Sequence, residues 1–342
     1  MPSRLDACRP ALAALLSAIS VACSAPAGQH DAPEGRHDAP EGRGEPTGER
    51  AFDVIGGLRA PSPELDHTGG LVYYVRDTGA TGLLCSATLI GPQTLVTANH
   101  CVAPLNVFAR IGIDVTWAEG ANYHEPTEAI LLAGFVPSPL PDGGAFGYGA
   151  DVAVIHLARP STVTPAAIRP FSYDLLGQSL VTLGYGVSSA AGVNDGWRRI
   201  GRETVVATSG RIYEAMFSDF ESFVEWQLTG DTSDADALAA LALDPTLTDL
   251  EAQRAEYDRW QLLEQYEVFT GKAPGDTQSC EGDSGSPLGR IAADGSFETF
   301  GVVSGGANSA RSACDNGQVF ATFGPEVFAL LERERNWLSP AP

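Results

Sequence analysis

Basic residues are scarce in this 342-residue chain: 21 Lys and Arg stand against 43 Asp and Glu, giving a formal net charge of −22 at pH 7. A surface of that sign repels phosphate backbones and anionic membranes, so nucleic acid is excluded as a partner, while the fold is left open. Apolar runs long enough to span a bilayer are missing; ALAALLSAISVA, Ala11 to Ala22, is too short. Cysteine pairs at zinc spacing are missing too, and the acidic stretch around Glu119, Glu125 and Glu128 lacks calcium-loop spacing. Neither a metal nor a cofactor is expected.

What is present suits a globular protein, with 44% apolar and 19% charged residues. Residues 1–27 read as an export signal: Arg4 and Arg9 precede the apolar run, and small residues follow it. Cleavage near Ala25 or Ala27 is the favoured reading. Cleavage before Cys23 would resemble a bacterial lipoprotein site, although Ser20 stands where that pattern prefers a larger aliphatic residue, and only then would a membrane be a partner. Residues 28–53 carry HDAPEGR twice in tandem, from His30 and from His37, and read as a disordered tether or propeptide.

Cys8 and Cys23 fall in the signal, leaving Cys85, Cys101, Cys280 and Cys314. An even number in an exported chain implies disulfides, and the sequence by itself allows three pairings.

From Val54 the pattern becomes short β-rich runs punctuated by Gly and Pro: GLVYYV from Gly70, LLCSATLI from Leu83, TLVTAN from Thr94, VFARIGI from Val107, DVAVIHL from Asp151 and SLVTLGYG from Ser179. A later set comprises SPLGRIA from Ser286, FETFGVVSGG from Phe297 and QVFATF from Gln318. Such spacing implies an all-β barrel or sandwich. Residues 54–160 and 173–342 form two halves, joined by the proline-bearing connection 161–172. Two helical stretches interrupt the pattern. Gly324 to Leu338 reads as a terminal helix, and Asp231 to Thr270 as a short helix, a break at Asp244-Pro245 and a long helix closed by Gly271, with Leu250, Tyr257 and Trp260 toward a core.

The strongest chemical signal is GDSGSP, Gly282 to Pro287. Amide hydrolysis by serine needs an exposed hydroxyl and backbone N–H donors aimed at the developing oxyanion, and a glycine at 282 lets its own N–H and that of Ser284 converge. A serine hydroxyl needs a base beside it, and His100 in TANHC, just after an apolar strand, fits that role. Asp151, opening the strand VAVIHL, suits the acid that holds the histidine tautomer. His67, His124 and His156 lack such a context and read as surface or turn residues, His156 pointing outward from its strand.

Together these motifs resemble the trypsin-like (chymotrypsin) serine peptidases, in that family's chain order His, Asp, Ser. TANHC resembles its TAAHC, DVAVIHL its DIALLKL, LGYG its TGWG, GDSGSP its GDSGGP, and VSGG from Val303 its VSWG. The resemblance covers Val54 to Leu338 apart from the helical insertion, and is to a bacterial-type secreted member of that family. It implies two six-stranded antiparallel β-barrels with a C-terminal helix at 324–338 and a helical insertion at 231–270 in the second barrel. It implies the pairs Cys85 with Cys101 and Cys280 with Cys314. It further implies a secreted endopeptidase, expected to be a monomer, acting on protein or peptide substrates through an acyl-enzyme on Ser284, with Gly282 and Ser284 as the oxyanion hole. The alternative is a catalytically silent binding module of the same family.

Three departures bear on function. VIGG, Val54 to Gly57, replaces the family's IVGG, whose freed amine pairs with the Asp before the catalytic Ser, here Asp283; but Asp53 precedes it, so an activating protease must cut after an acid or the pocket is ordered otherwise. Gln278 stands where trypsins carry the pocket Asp, so strong Arg or Lys preference is not expected. Ser304, Gly305 and Gly306 are expected to form the pocket wall, with Glu281 at the rim and Gln318 at the floor, suiting medium-sized uncharged side chains. The insertion reads foremost as a packed excursion, a role in cleft access or partner binding being the functional alternative.

Overall fold

The computed structural model describes residues 57–139, 144, 149–188, 194–229, 249–306, 314 and 316–339. The export signal, the repeat, Asp53, Val54 and residues 231–248 lie outside these.

Strand β1 (Leu58–Arg59) opens the described chain, followed by β2 (Thr68–Val75), β3 (Thr81–Gly91), β4 (Thr94–Thr97), β5 (Ile113–Glu119), β6 (Glu128–Pro137) and β7 (Ala153–Leu157). The last six close into a barrel in the order β2-β3-β4-β7-β6-β5, every pair antiparallel. Period-two patterning drives this: along β5, Ile113, Val115 and Trp117 are buried while Asp114 and Thr116 lie nearer the surface. Leu71, Leu89, Leu95 and Ile155 fill the interior beside Trp117.

A second closed, six-stranded antiparallel barrel comprises β9 (Ser179–Gly184), β10 (Arg199–Ala207), β11 (Glu267–Thr270), β12 (Pro287–Ile291), β13 (Phe297–Gly306) and β14 (Gln318–Thr322). It runs β9-β10-β11-β14-β13-β12, with β12 returning to β9. Leu180, Val205, Val268, Leu288, Phe300 and Phe320 make its core. The architecture is the trypsin-like fold.

The connection 161–172 is not featureless: β8 (Ala167–Ile168) pairs in parallel with β13. β1 pairs with β10, so the first described residues join the second barrel rather than the first. The barrels share an apolar core of Val96, Val152, Val154, Val302, Ala321 and Phe323, which the terminal helix completes with Val327, Leu330 and Leu331. Arg198, wholly buried, ties the entering chain to the barrels: its guanidinium donates to the carbonyls of Ala60, Ser62 and Thr68 and to Asp66 at 2.9 Å.

Six α-helices lie among the described residues: α1 (Asn99–Val102), α2 (Leu105–Arg110), α3 (Ile212–Met216), α4 (Phe220–Thr229), α5 (Leu250–Arg259) and α6 (Pro325–Glu334). The strand expected from Val107 is instead helix α2 up to Arg110. Pro104 presets its start, and Gly112, at φ +82°, separates it from β5. The long helix expected to reach Thr270 stops at Arg259, and Glu267–Thr270 is a fully buried strand of the second barrel. Its Val268, Phe269 and Thr270 suit a pleated, buried surface better than a helix. Tyr257 of the expected insertion joins Tyr213 and Phe223, on helices that precede it, in a small core that rests on Phe269 and Val319, with Trp260 packed against it, whereas Leu250 is 65% exposed.

Candidate active site

The residues singled out for catalysis lie on three elements. His100 sits on α1, immediately after β4, and the Cys85–Cys101 disulfide fastens that turn to β3. Asp151 lies two residues before β7 and is buried, 1% exposed. Its Oδ2 accepts from His100 Nδ1 at 2.7 Å, and its Oδ1 from the His100 backbone N–H at 2.9 Å. A carboxylate can only accept, so the ring proton rests on Nδ1 and the Nε2 lone pair is left to act as base.

A further contact completes this carboxylate. The Ser304 hydroxyl, on β13 of the other barrel, donates to Asp151 Oδ2 at 2.8 Å. Ser304 is one of the residues expected in the pocket wall, and its side chain helps hold the acid. Local sequence offers no signal for this, since 153 residues separate the pair.

Ser284 is set at the same end of the barrels by β3. Its carbonyl accepts from the Ser86 N–H at 2.8 Å, and the Gly282 carbonyl accepts from the Ser86 hydroxyl at 2.9 Å. Ser86 adjoins the disulfide that anchors His100. The loop presses closely on the segment before His100: a Cβ at Gly285 would come within 2.1 Å of Thr97 Oγ1 and 2.3 Å of the Ser86 carbonyl oxygen. Gly282 and Gly285 have φ of +91° and +82°, a left-handed conformation that glycine adopts freely and that bends the loop on either side of Ser284. Among the described residues, neither the Gly282 nor the Ser284 amide donates a hydrogen bond, the condition an oxyanion-binding pair needs.

Asp283 is also buried. Its carboxyl accepts from the Gly186 and Cys280 N–H groups at 2.8 and 2.9 Å, and burial pushes its pKa up to about 6 against the lowering effect of those bonds. The Gly184 and Gly186 α-carbons face it so closely that a Cβ on either would strike the carboxyl. Its expected partner, Val54, lies outside the described residues.

Around the expected specificity pocket, the Gln278 side chain is held at both ends: its amide nitrogen donates to the Gly271 carbonyl, and its oxygen accepts from the Gly317 N–H at 2.8 Å. Gln318 is buried, and its side-chain oxygen accepts from the Ser279 N–H at 2.6 Å. Gly305 and Gly306 close β13 opposite Val319 and Gln318. The Cys280–Cys314 disulfide joins the two segments flanking this region. Both disulfides are those the family resemblance implies.

Two histidines expected at the surface are buried. His67 packs on Phe297 with ring centroids 4.7 Å apart, and desolvation, then Arg198, lowers its pKa to about 4. His156 stacks on Trp337 at 4.1 Å with Nε2 3.2 Å from Glu334, so it faces the terminal helix rather than solvent. Neither belongs to the catalytic cluster. Cys85, His100 and Cys101 lie together, but both thiols are consumed by their disulfide, so no metal-ligating set results. Among the described residues no helix is long and apolar enough to cross a membrane.

The trypsin family model matches residues 55–216. Proproteinase E from Bos taurus is 26% identical over 239 residues, covering 68% of this chain and 76% of that protein. Kallikrein-9 from Homo sapiens is 27% identical over 230 residues, covering 66% and 72% respectively. Suppressor of tumorigenicity 14 protein homolog from Bos taurus is 22% identical over 269 residues, which span 75% of this chain but 25% of that protein. The two closed barrels show the trypsin-like fold, and the family match over residues 55–216 points the same way.

Proposed function

We propose that the chain is a secreted serine endopeptidase, of the bacterial type in its export signal, that cleaves peptide bonds through an acyl-enzyme on Ser284. The observation that carries this is the pair of bonds from His100 to the buried Asp151, which fixes the imidazole with Nε2 available as base. Ser284 Oγ attacks the scissile carbonyl carbon while Nε2 takes its proton. Asp151, steadied by Ser304, stabilises the resulting imidazolium. The N–H groups of Gly282 and Ser284 receive the oxyanion; the imidazolium then protonates the leaving amine, and water, deprotonated by His100, releases the acid.

Cleavage before Val54 would free an amine able to pair with Asp283, whose buried carboxyl is held by the Gly186 and Cys280 backbone amides. N-terminal sequencing of the active form tests this, and an active enzyme beginning upstream of Val54 would remove that step. Gln278, tied up by Gly271 and Gly317, supports a preference for uncharged side chains at neutral pH. The apolar leader and the two disulfides support export, with Cys23 as the point of attachment should the chain be held at the envelope. The experiment for the whole reading is cleavage of an unfolded protein substrate by the native chain and by Ser284→Ala. Native activity abolished by the substitution is expected; equal activity in both would refute it.

A further inference from the structure

Glu203 lies on β10 with no exposed surface, and peptide hydrolysis as derived above makes no use of it. Its Oε2 accepts from the Thr270 hydroxyl of β11 at 2.6 Å, and its Oε1 from the Ser279 hydroxyl at 3.0 Å. Gln318 of β14 lies against the same carboxyl and holds the Ser279 N–H through its own oxygen. Among the described residues, no arginine, lysine or histidine forms an ion pair with Glu203.

Ser279 stands between Gln278 and Cys280, five residues before Ser284, in the segment expected to frame the specificity pocket. The carboxyl absent at position 278 is therefore present one hydroxyl further in, brought from a different strand. Cross-linking β10, β11 and this segment would need only an amide or a hydroxyl, which would be far less costly to bury than an acid without a counter-ion. A carboxyl kept at such a place points to a use for its charge.

We propose that Glu203 selects for charge in the substrate side chain that enters the specificity pocket (P1), acting on it through Ser279. The inference rests on Ser284 being the nucleophile. With Glu203 protonated, its O–H donates to one of the two hydroxyls, and Ser279 turns its own hydrogen toward the pocket, a floor suited to neutral acceptors. With Glu203 ionised, both hydroxyls donate to it. Ser279 then presents lone pairs backed by a full negative charge, a floor suited to a guanidinium. Burial, the largest influence, pushes the Glu203 pKa up to about 8 against the lowering effect of Thr270, Gln318 and Ser279. Thr270 from β11, Gln318 from β14 and Ser279 are uncharged. The charged neighbour is Asp276, held by the Thr204 N–H and hydroxyl, and it acts in the same direction as burial. The P1 preference therefore moves from neutral toward cationic as pH rises.

The test uses two peptide amides that differ only at P1, arginine in one and its neutral isostere citrulline in the other. Their kcat/KM ratio is measured with the active enzyme from about pH 6 to about pH 10, a range over which arginine keeps its charge. Any ionisation that acts equally on the two substrates cancels in the ratio. The ratio should climb by about tenfold or more, the scale of a unit charge one hydroxyl away in a partly desolvated pocket, with its midpoint near 8. Glu203→Gln should flatten it. A flat ratio in the native enzyme, or an unchanged climb in Glu203→Gln, overturns the proposal. If Glu203→Gln does not fold, Ser279→Ala decides: it should also flatten the ratio, and an unchanged climb there is equally fatal. Failure of the underlying reading looks different, because neither peptide is then cleaved and Ser284 takes up no serine-directed phosphonate; that outcome removes this proposal with it.

Discussion

Replacing Asp151 by Asn alters one atom and disturbs each contact of that carboxyl differently. An Asn oxygen can keep the bond from the His100 N–H at 2.9 Å. Its NH2 group then replaces the oxygen that accepts from His100 Nδ1 at 2.7 Å and from the Ser304 hydroxyl at 2.8 Å. Two donors cannot face each other, so the ring shifts its proton to Nε2, the atom that must be bare to act as base. Restoring the productive tautomer leaves a donor unsatisfied, at a cost of about 1–2 kcal/mol. The imidazolium also loses a unit charge about 4 Å away, worth about 4 kcal/mol at an effective dielectric constant of about 20. The sum, about 5–6 kcal/mol, is a loss of about 10⁴-fold in kcat, the size found when the acid of a trypsin-like triad is neutralised in this way. The assay is kcat on a peptide amide substrate, with circular dichroism to establish that the variant is folded. A folded Asp151→Asn enzyme within about tenfold of native kcat would refute the account of His100 orientation.

Two further outcomes concern stability. Arg198→Met removes the guanidinium that binds the carbonyls of Ala60, Ser62 and Thr68 and leaves Asp66 without its partner, so urea unfolding should show a loss of about 3–5 kcal/mol, and a loss below about 1 kcal/mol would contradict the clamp. Asp283, with its pKa raised to about 6, binds a proton more tightly folded than unfolded. Its contribution to stability is therefore complete at low pH and lost as pH rises through about 6, by about 3 kcal/mol. In the chain not cut before Val54, Asp283→Asn should abolish that fall; an identical pH slope in the two proteins would count against it.

Much of the candidate site is legible in the sequence because it is carried by contiguous residues. TANHC and GDSGSP each set the local backbone around one reacting group, and the apolar strand after Asp151 places the third. Both disulfides followed from the family resemblance rather than from spacing. The contacts that escaped are those between distant segments: Ser304 on Asp151, Glu203 beneath Ser279, and Arg198 on the entering chain all depend on how the barrels close. Two strand and helix readings differ from the structure, one for a local reason and one for a distant one. Val107–Arg110 has β-forming side chains but follows Pro104 and precedes a left-handed Gly112. Glu267–Thr270 follows a helix in sequence and reads as its continuation, yet its ladder partners lie on β10 and β14. The burial of His67 and His156 was hidden because Phe297 and Trp337, which cover them, arrive from far along the chain.

The central claim is that Ser284 is a nucleophile activated by His100. Its most direct measurement is covalent labelling by a serine-directed phosphonate, with the modified residue located by peptide mapping. The account predicts stoichiometric labelling of Ser284 in the active form, no labelling of Ser284→Ala, and labelling of His100→Ala slowed by orders of magnitude. A folded, processed protein that takes up no probe, or takes it up equally after Ser284→Ala, would contradict it.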